Sequence, residues 1–395
     1  MPAGCRGKPA VTKHRMNKDL SDFAARLRRS IAAGFNPAQF DDLAVELFDL
    51  QYRFNPVYQS FCYSRNVSPE KIAAARAVTP SFAGRWTLAP FVSTSTFKLF
   101  EFSCLAPEER TLSFHSSGTT EQKPSRHFHN PESLSVYGES LWKWFQANLG
   151  DAGELCFLTP GPKEAMHSSL VYMFETIRRK YSLPETAFTG TMAADDSWQV
   201  AFSSTIQKLK AAVDSAKPLT LLGTAFSFVH LLDHLAETNV RFELPTGSRV
   251  METGGYKNRS RILPKAELHA LITKQLDVPA DQIICEYGMS ELSSQAYAVR
   301  NDDCPVTARS EAVFSEAHAH HFHFPPWARV QIISPETARE VAEDETGLIR
   351  IFDLANVFSV AAIQTEDLGI RRGNGFELVG RAQLAEPRGC SLMNP

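Results

Sequence analysis

Near the start of the chain, apolar side chains recur at helical spacing. Leu20, Phe23, Leu27 and Ile31 share one face with Gly34 as a stop, and Phe40, Leu43, Leu47 and Leu50 repeat the pattern after Pro37. Two such helices need a partner surface and are expected to cap a main domain. Residues 84–100 are mixed and read as loop. From about 131 the texture alternates. Helical stretches are expected over 131–148, 163–180, 196–216 and 264–276, with another running through His234; strand-like apolar runs occupy 153–159, 219–222, 249–251 and 282–285. This alternation predicts parallel strands joined by helical crossovers, an α/β fold. After 328 the runs shorten: 328–333, 348–352, 361–364 and 376–379 read as strands split by turns, a small β-rich subdomain. The expected division is a disordered basic N-terminus over 1–18, an α/β domain over 19–325, the β-rich subdomain of the same unit over 326–381, and a flexible tail over 382–395.

Composition narrows the class. The chain has 395 residues, 43% apolar and 22% charged, enough for a sizeable core, and a net charge of −3 that gives no reason to expect nucleic acid. The seven cysteines are scattered, with no CxxC pair, which argues for a reducing compartment without a disulfide framework. No run reaches the roughly 18 uninterrupted apolar residues of a membrane span. The first 18 residues carry Arg6, Lys8, Lys13, Arg15 and Lys18 without an apolar core, so they do not read as a secretion signal. A soluble, cytoplasmic protein is expected.

Candidate chemistry lies in five separated segments. Ser116, Ser117, Gly118, Thr119 and Thr120, followed by Lys123, offer hydroxyls, backbone N–H groups and a positive charge, a combination suited to a polyphosphate. A solvated loop is the bland alternative. Met251-Glu252-Thr253 runs into Gly254 and Gly255, where backbone can approach a flat ring. Tyr287, Gly288, Ser290 and Glu291 follow a buried-looking strand and supply a ring, a hydroxyl and a carboxylate for a divalent metal. Asp367, in a turn after a strand, is placed to accept from ribose hydroxyls, and Arg381 closes the last strand. The histidines at 318, 320, 321 and 323 lack acidic or Cys ligands at helical spacing and read as a loop entering a strand. A Walker-type loop fails, because the second Gly before Lys123 is missing and Pro124 stands where Ser or Thr should be.

Taken in order, these segments resemble the adenylate-forming superfamily of acyl-activating enzymes. More narrowly the chain is similar to the LuxE-type acyl-protein synthetases, through Phe40 to Ala44, Gln51 to Tyr58, Pro90, Phe91, Phe97 and Lys98, Pro325 to Trp327, and Arg388 to Leu392. The resemblance implies ATP and Mg²⁺ as cofactors and a carboxylic, fatty-acid-like substrate. Under it, Ser116 to Thr120 and Lys123 would hold the ATP phosphates, and Gly254 and Gly255 would line the adenine and acyl pocket. Tyr287 would pack on adenine, Gly288 belongs to the same motif, Ser290 would touch the α-phosphate and Glu291 would bind Mg²⁺. Asp367 would hold the ribose with Arg381 nearby, and His167 would lie beside the substrate carboxylate. Cys390, in a short tail beside Gly389 and Arg388, would take the acyl group as a thioester for an acyl-reductase or acyl-transferase partner. Two departures are visible. Glu121 stands where the superfamily usually has Gly, and a carboxylate there repels phosphate unless it turns outward or pairs with Lys123 or Arg126. The usual lysine-bearing C-terminal domain is not expected after Arg381. Two alternatives stay open: transfer to CoA or a carrier thiol, and a degenerate nucleotide-binding scaffold.

Overall fold

The computed structural model describes residues 11–78, 84–116, 124–150, 153–194, 197–254, 261, 263–299 and 321–382. The opening amphipathic patterns form α1 (Val11–Ala33) and α2 (Phe40–Phe54), followed by α3 (Pro56–Ser64) and α4 (Pro69–Val78). The first helix starts at Val11, inside the stretch expected to be a disordered lead, and corrects that expectation from there on. No Pro or Gly lies between Val11 and Ala33 to interrupt it. Its buried face, Leu20, Phe23, Leu27 and Ile31, belongs to the main core, and the Ser21 hydroxyl donates to Glu132 Oε2 at 2.8 Å. The cap expected of these helices is therefore formed.

The second helix carries a polar clasp on its buried side. Gln51 Nε2 donates to the carbonyls of Asn356 (2.8 Å) and Val357 (3.1 Å), and Gln51 Oε1 accepts from the Ala361 N–H at 2.9 Å. Asn55 Nδ2 donates to the Ser359 carbonyl at 3.2 Å, and the Tyr58 hydroxyl to the Pro90 carbonyl at 2.9 Å. A long irregular loop can be buried here because these side chains satisfy its backbone groups.

Between these helices and the sheet lie β1 (Val92–Ser93) and the hairpin β2 (Leu112–His115) and β3 (Arg126–His129). The chain continues through α5 (Pro131–Leu149), β4 (Glu154–Phe157), α6 (Ser169–Lys180), β5 (Gly190–Met192) and β6 (Trp198–Val200). Then come α7 (Phe202–Ser215), β7 (Leu219–Thr224), α8 (Ala225–Glu237), β8 (Arg249–Thr253), α9 (Lys265–Leu276) and β9 (Ile283–Tyr287). The last strands are β10 (Ala296–Val299), β11 (His321–His323), β12 (Ala328–Ile333), β13 (Thr346–Asp353), β14 (Ala362–Arg372) and β15 (Gly375–Arg381).

Strands β4, β7, β8 and β9 are parallel neighbours. Every residue of β7 is buried, as expected of a strand covered on both faces. One core lies between the sheet and α7, α8 and α9; the other joins α1, α2, α5 and α6 to the opposite side and to the C-terminal strands. The β-rich region continues the same sheet. β10 pairs antiparallel with β9, and the order runs on through β11, β15, β14 and β13 to β12. Among the described residues, no helix is long and apolar enough to cross a membrane.

Two helices differ from the periodicity. The one expected over 163–180 starts at Ser169, where the Ser168 hydroxyl caps it by accepting from the Val171 N–H at 3.2 Å. The one expected over 196–216 gives its first residues to β6, paired with β5, and begins only at Phe202. Strand pairing outcompetes helix extension because the Ala201 N–H is taken by the Thr189 carbonyl at 2.8 Å. The stretch 84–100 holds two 3₁₀ turns, Arg85–Leu88 and Thr94–Lys98, with β1 between them.

Candidate active site

The parallel strand β9 ends at Tyr287, and the turn that follows delivers Ser290 and Glu291 into buried surroundings. The Ser125 hydroxyl, from the residue before β3, donates to Glu291 Oε1, and Ser290 donates to Oε2 at 3.0 Å. Burial raises the Glu291 carboxyl above its ordinary range, against the opposing pull of these hydroxyls and of Lys98. The Glu291 carbonyl accepts from Asn356 Nδ2 at 2.8 Å. The following turn is tied down as well: the Ser293 N–H and the Ser294 hydroxyl donate to Asp353 at 2.8 and 2.7 Å, and Ser293 donates to Asn356 Oδ1 at 2.9 Å. Burial pushes Asp353 up to about 6 despite these donors.

Ser116 joins this group from the other side. Its N–H donates to the Ser125 carbonyl at 3.2 Å, and the Ser125 N–H donates to Ser116 Oγ at 3.0 Å. The ends of the Ser/Thr loop are thus held together beside Glu291. Ser117, Gly118, Thr119, Thr120 and Lys123 lie outside the described residues, as do Gly255 and Cys390.

Four residues before Glu291, the Tyr287 hydroxyl donates to Asp367 Oδ2 at 2.8 Å. Arg381 Nε lies 3.8 Å from Asp367 Oδ1, on the strand residue that pairs with Asp367. Burial raises Asp367, with Tyr287 and Arg381 opposing it. The edges of Phe322, Phe324 and Phe376 surround the Tyr287 ring, at 6.0, 6.3 and 5.3 Å between centroids. A Cβ at Gly288 would stand 2.4 Å from Glu286 Oε1, so any larger residue there would have to displace the Glu286 carboxyl. Gly254, at the end of the adjacent strand β8, has φ +70°, and a Cβ there would meet nothing within 4 Å.

His167 meets the same hairpin. Its Nδ1 lies 2.9 Å from the Ser113 carbonyl, which can only accept, so Nδ1 carries the hydrogen and a neutral ring leaves Nε2 as acceptor. The His167 ring stacks on His115 at 4.2 Å and 5°, and the His115 N–H donates to the His167 carbonyl at 2.9 Å. The structure therefore places Ser116, Gly254, Tyr287, Gly288, Ser290 and Glu291 at the ends of β8, β9 and the hairpin strand, His167 in a loop against that hairpin, and Asp367 and Arg381 on β14 and β15, tied to β9 by the Tyr287–Asp367 bond. Their donor chemistry fits the implied cofactors: Glu291 with Ser290 and Ser125 is an oxygen-only set suited to Mg²⁺, and Gly254 leaves a face open for a flat group.

Several residues went unnoticed in the sequence. Ser125 lies in no recognised motif, although the alternation Leu112, Phe114 against His127, His129 signals the hairpin that carries it. Glu286 accepts from the Thr253 hydroxyl, and burial pushes its carboxyl up to about 7. A polar cluster under the aromatic ring set was also missed. Lys265 Nζ and His269 Nε2 lie 3.4 and 3.6 Å from Glu252 Oε1, and Cys285 Sγ lies 3.8 Å from His269 Nε2. Glu252, His269 and Cys285 could hold a metal by proximity, but the Lys265 ammonium already supplies the counter-charge at Glu252. Burial raises the Glu252 carboxyl, but Lys265, His269 and Cys285 overcome this and hold it down at about 2. Burial pushes the Cys285 thiol up, which disqualifies it as a ready nucleophile. Of the histidines near 320, His321 and His323 lie on β11, while His318 and His320 are outside the described residues.

This geometry matches known proteins. The chain is 25% identical over 371 residues to a long-chain-fatty-acid–luciferin-component ligase of Aliivibrio fischeri, covering 89% of this chain and 86% of that one. A 2-hydroxyisobutyryl-CoA ligase solved in the postadenylation state with 2-HIB-AMP shares the fold, with a TM-score of 0.60 at 11% identity over 87% of this chain and 68% of that one. The chain spans 59% of the length of a luciferase-like enzyme from the nonluminescent mealworm Zophobas morio, with 14% identity, 70% of this chain covered and a TM-score of 0.46. The fold is thus the mixed α/β architecture of adenylate-forming ligases. A family model described as acyl-protein synthetase, LuxE, matches residues 39–394, and the chain belongs to that family.

Proposed function

We propose that the protein uses ATP and Mg²⁺ to activate a carboxylic acid of the fatty-acid class as acyl-AMP, then passes the acyl group to a protein thiol, Cys390. The observation that supports this most directly is Glu291, held between Ser125 and Ser290 at the closed base of the Ser/Thr loop, four residues from a Tyr287 bonded to Asp367. A substrate carboxylate oxygen would attack the α-phosphorus, forming the mixed anhydride while the bond to the departing pyrophosphate breaks. Mg²⁺ on Glu291 would offset charge on the phosphates. Ser116 and the backbone N–H groups of residues 117–120 would hold them, Asp367 would accept from the ribose, and His167 would orient the acid. The Cys390 thiolate would then attack the acyl carbon and release AMP, leaving a thioester for a reductase or acyl-transferase partner. A cytoplasmic setting belongs to this reading and rests on the seven scattered cysteines with no CxxC pair.

The test is acid-dependent exchange of labelled pyrophosphate into ATP across aliphatic acids, followed by incubation with ATP and labelled acid. Exchange should appear, and hydroxylamine-labile label should stay on the protein and vanish in Cys390→Ser while exchange persists. Label that remains in Cys390→Ser, or moves only to added CoA, would refute Cys390 as acceptor. No exchange with any acid would refute the activation itself and favour the scaffold.

A further inference from the structure

One face of the hairpin carries three buried polar side chains in a row. Ser125, His127 and His129 alternate with the less buried Arg126 and Phe128 and are 1, 2 and 1% exposed. Ser125 holds Glu291, and His129 reaches Ser133, whose hydroxyl hydrogen is committed to the Asn130 carbonyl at 3.0 Å. Ser133 Oγ can therefore only accept from His129 Nδ1, 3.1 Å away, and a neutral ring leaves His129 Nε2 as an acceptor. That nitrogen is buried and has no hydrogen-bond partner among the described residues, and the same holds for His127 Nδ1. The two ring centroids lie 4.8 Å apart, and both side chains line a cavity of about 10 Å³. That is room for about one water. Burial pushes the His127 imidazole down to about 4 and that of His129 well below the usual range, so both rings are neutral near pH 7. Among the described residues no carboxylate or thiolate lines the cavity to balance a metal ion. Its walls include Ser293 and residues 355–359 of the loop between β13 and β14. The cavity thus lies between two supports of Glu291. On one side β3 follows Ser125; on the other stands Asn356, whose Nδ2 donates to the Glu291 carbonyl at 2.8 Å and whose Oδ1 accepts from Ser293 at 2.9 Å.

Resting on the reading of Glu291 as the Mg²⁺ ligand, we propose that His127 and His129 are positioning residues that hold one buried water between β3 and the Asn356 loop, fixing the two supports of Glu291 against each other. The water donates one hydrogen to His129 Nε2 and meets His127 Nδ1 as donor or acceptor, according to that ring's tautomer. Without it both nitrogens lose their solvation with nothing in return, and the strand beside Ser125 is held less firmly against the loop. The histidines touch neither metal nor nucleotide; they act through Ser125 and Asn356.

A high-resolution crystal structure of the unaltered chain should show one water peak within hydrogen-bond distance of His127 Nδ1 and His129 Nε2; a cavity without that peak would overturn the proposal. His127→Leu should raise the Mg²⁺ concentration needed for half-maximal ATP binding, read by calorimetry, by roughly tenfold, the low end for a residue that supports a metal ligand from outside. His127→Asn, which keeps a polar atom at the place of Nδ1, should bind with nearly the parent's Mg²⁺ dependence. A merely structural role would lower the thermal midpoint and leave that dependence alone, so an unchanged dependence in folded His127→Leu would overturn the positioning role. Should His127→Leu fail to fold, a tenfold rise in His127→Asn would overturn it, and a parent-like value would support it. Absence of Mg²⁺-dependent ATP binding in the unaltered protein would refute the acid-activation reading and the positioning role together, while the crystallographic peak would still decide the water site.

Discussion

Glu286 and Glu291 lie five residues apart and meet different needs. Glu291 is satisfied on both oxygens by serine hydroxyls, whereas Glu286 is buried against Thr253 with Glu252 adding negative charge nearby. Its folded carboxyl therefore protonates at about 7 instead of 4.5. Between those values the folded protein holds a proton that the unfolded chain has released, so stability falls as pH rises through the window and levels off above it. Glu286→Gln removes the titration while keeping the amide oxygen for Thr253. The variant should be more stable than the parent by about 1–3 kcal/mol at pH 8, with the gap closing by pH 5, as read from urea unfolding across that range. A pH-independent difference would show that Glu286 is not the buried acid described.

At the scale of elements, the site depends on a loop that has no regular structure of its own. Residues 354–361 join β13 to β14, and Gln51 and Asn55 of the N-terminal helices satisfy four of their backbone groups: the carbonyls of Asn356, Val357 and Ser359 and the Ala361 N–H. That loop in turn carries Asn356, which holds the Glu291 carbonyl. Gln51→Leu keeps the volume near that of the original side chain but strands the buried Val357 carbonyl and Ala361 N–H and leaves the Asn356 carbonyl only the longer bond from the Ser359 N–H, at 3.4 Å. The expected cost is about 2–4 kcal/mol in denaturant unfolding, since unsatisfied buried groups forfeit their full solvation. A loss under about 1 kcal/mol would mean that water replaces the clasp.

Across the whole molecule, one sheet unites regions with different textures, and its α9 face carries a charged cluster beside an aromatic one. Glu252, Cys285, Ala298, Phe322 and Phe376 occupy successive paired positions across five strands, with Lys265 Nζ 5.1 Å from the Phe322 ring centroid. Lys265→Met would leave Glu252 without its principal counter-charge. The expected loss is about 2–3 kcal/mol at pH 7, below the ~3–5 of a fully dry pair because the Lys265 side chain is 42% exposed. Glu252 is held down at about 2, so the parent keeps this contribution above about 4.5 and loses it as pH falls toward 2. The difference between parent and variant should therefore shrink in acid, and the double variant with Glu252→Gln should recover part of the loss at pH 7. A loss that the second substitution does not relieve would indicate packing by the lysine stem instead.

The sequence alone determined the local pieces. Leu20, Phe23, Leu27 and Ile31 announce a helix face, and the apolar run at 219–222 announces a covered strand. The motif residues Tyr287, Ser290, Glu291 and Asp367 carry their chemistry in their side chains, because periodicity and functional groups are properties of short stretches. Tertiary structure decided what meets what. Ser125 on Glu291, His115 on His167, Gln51 on Ala361 and Lys265 on Glu252 join residues from 13 to 310 positions apart. It also decided that the C-terminal strands extend the parallel sheet, through antiparallel pairing at β10, instead of forming a separate layer. Such partnerships arise when the chain closes long loops to satisfy buried polar groups, and no local pattern records which partner a donor will find.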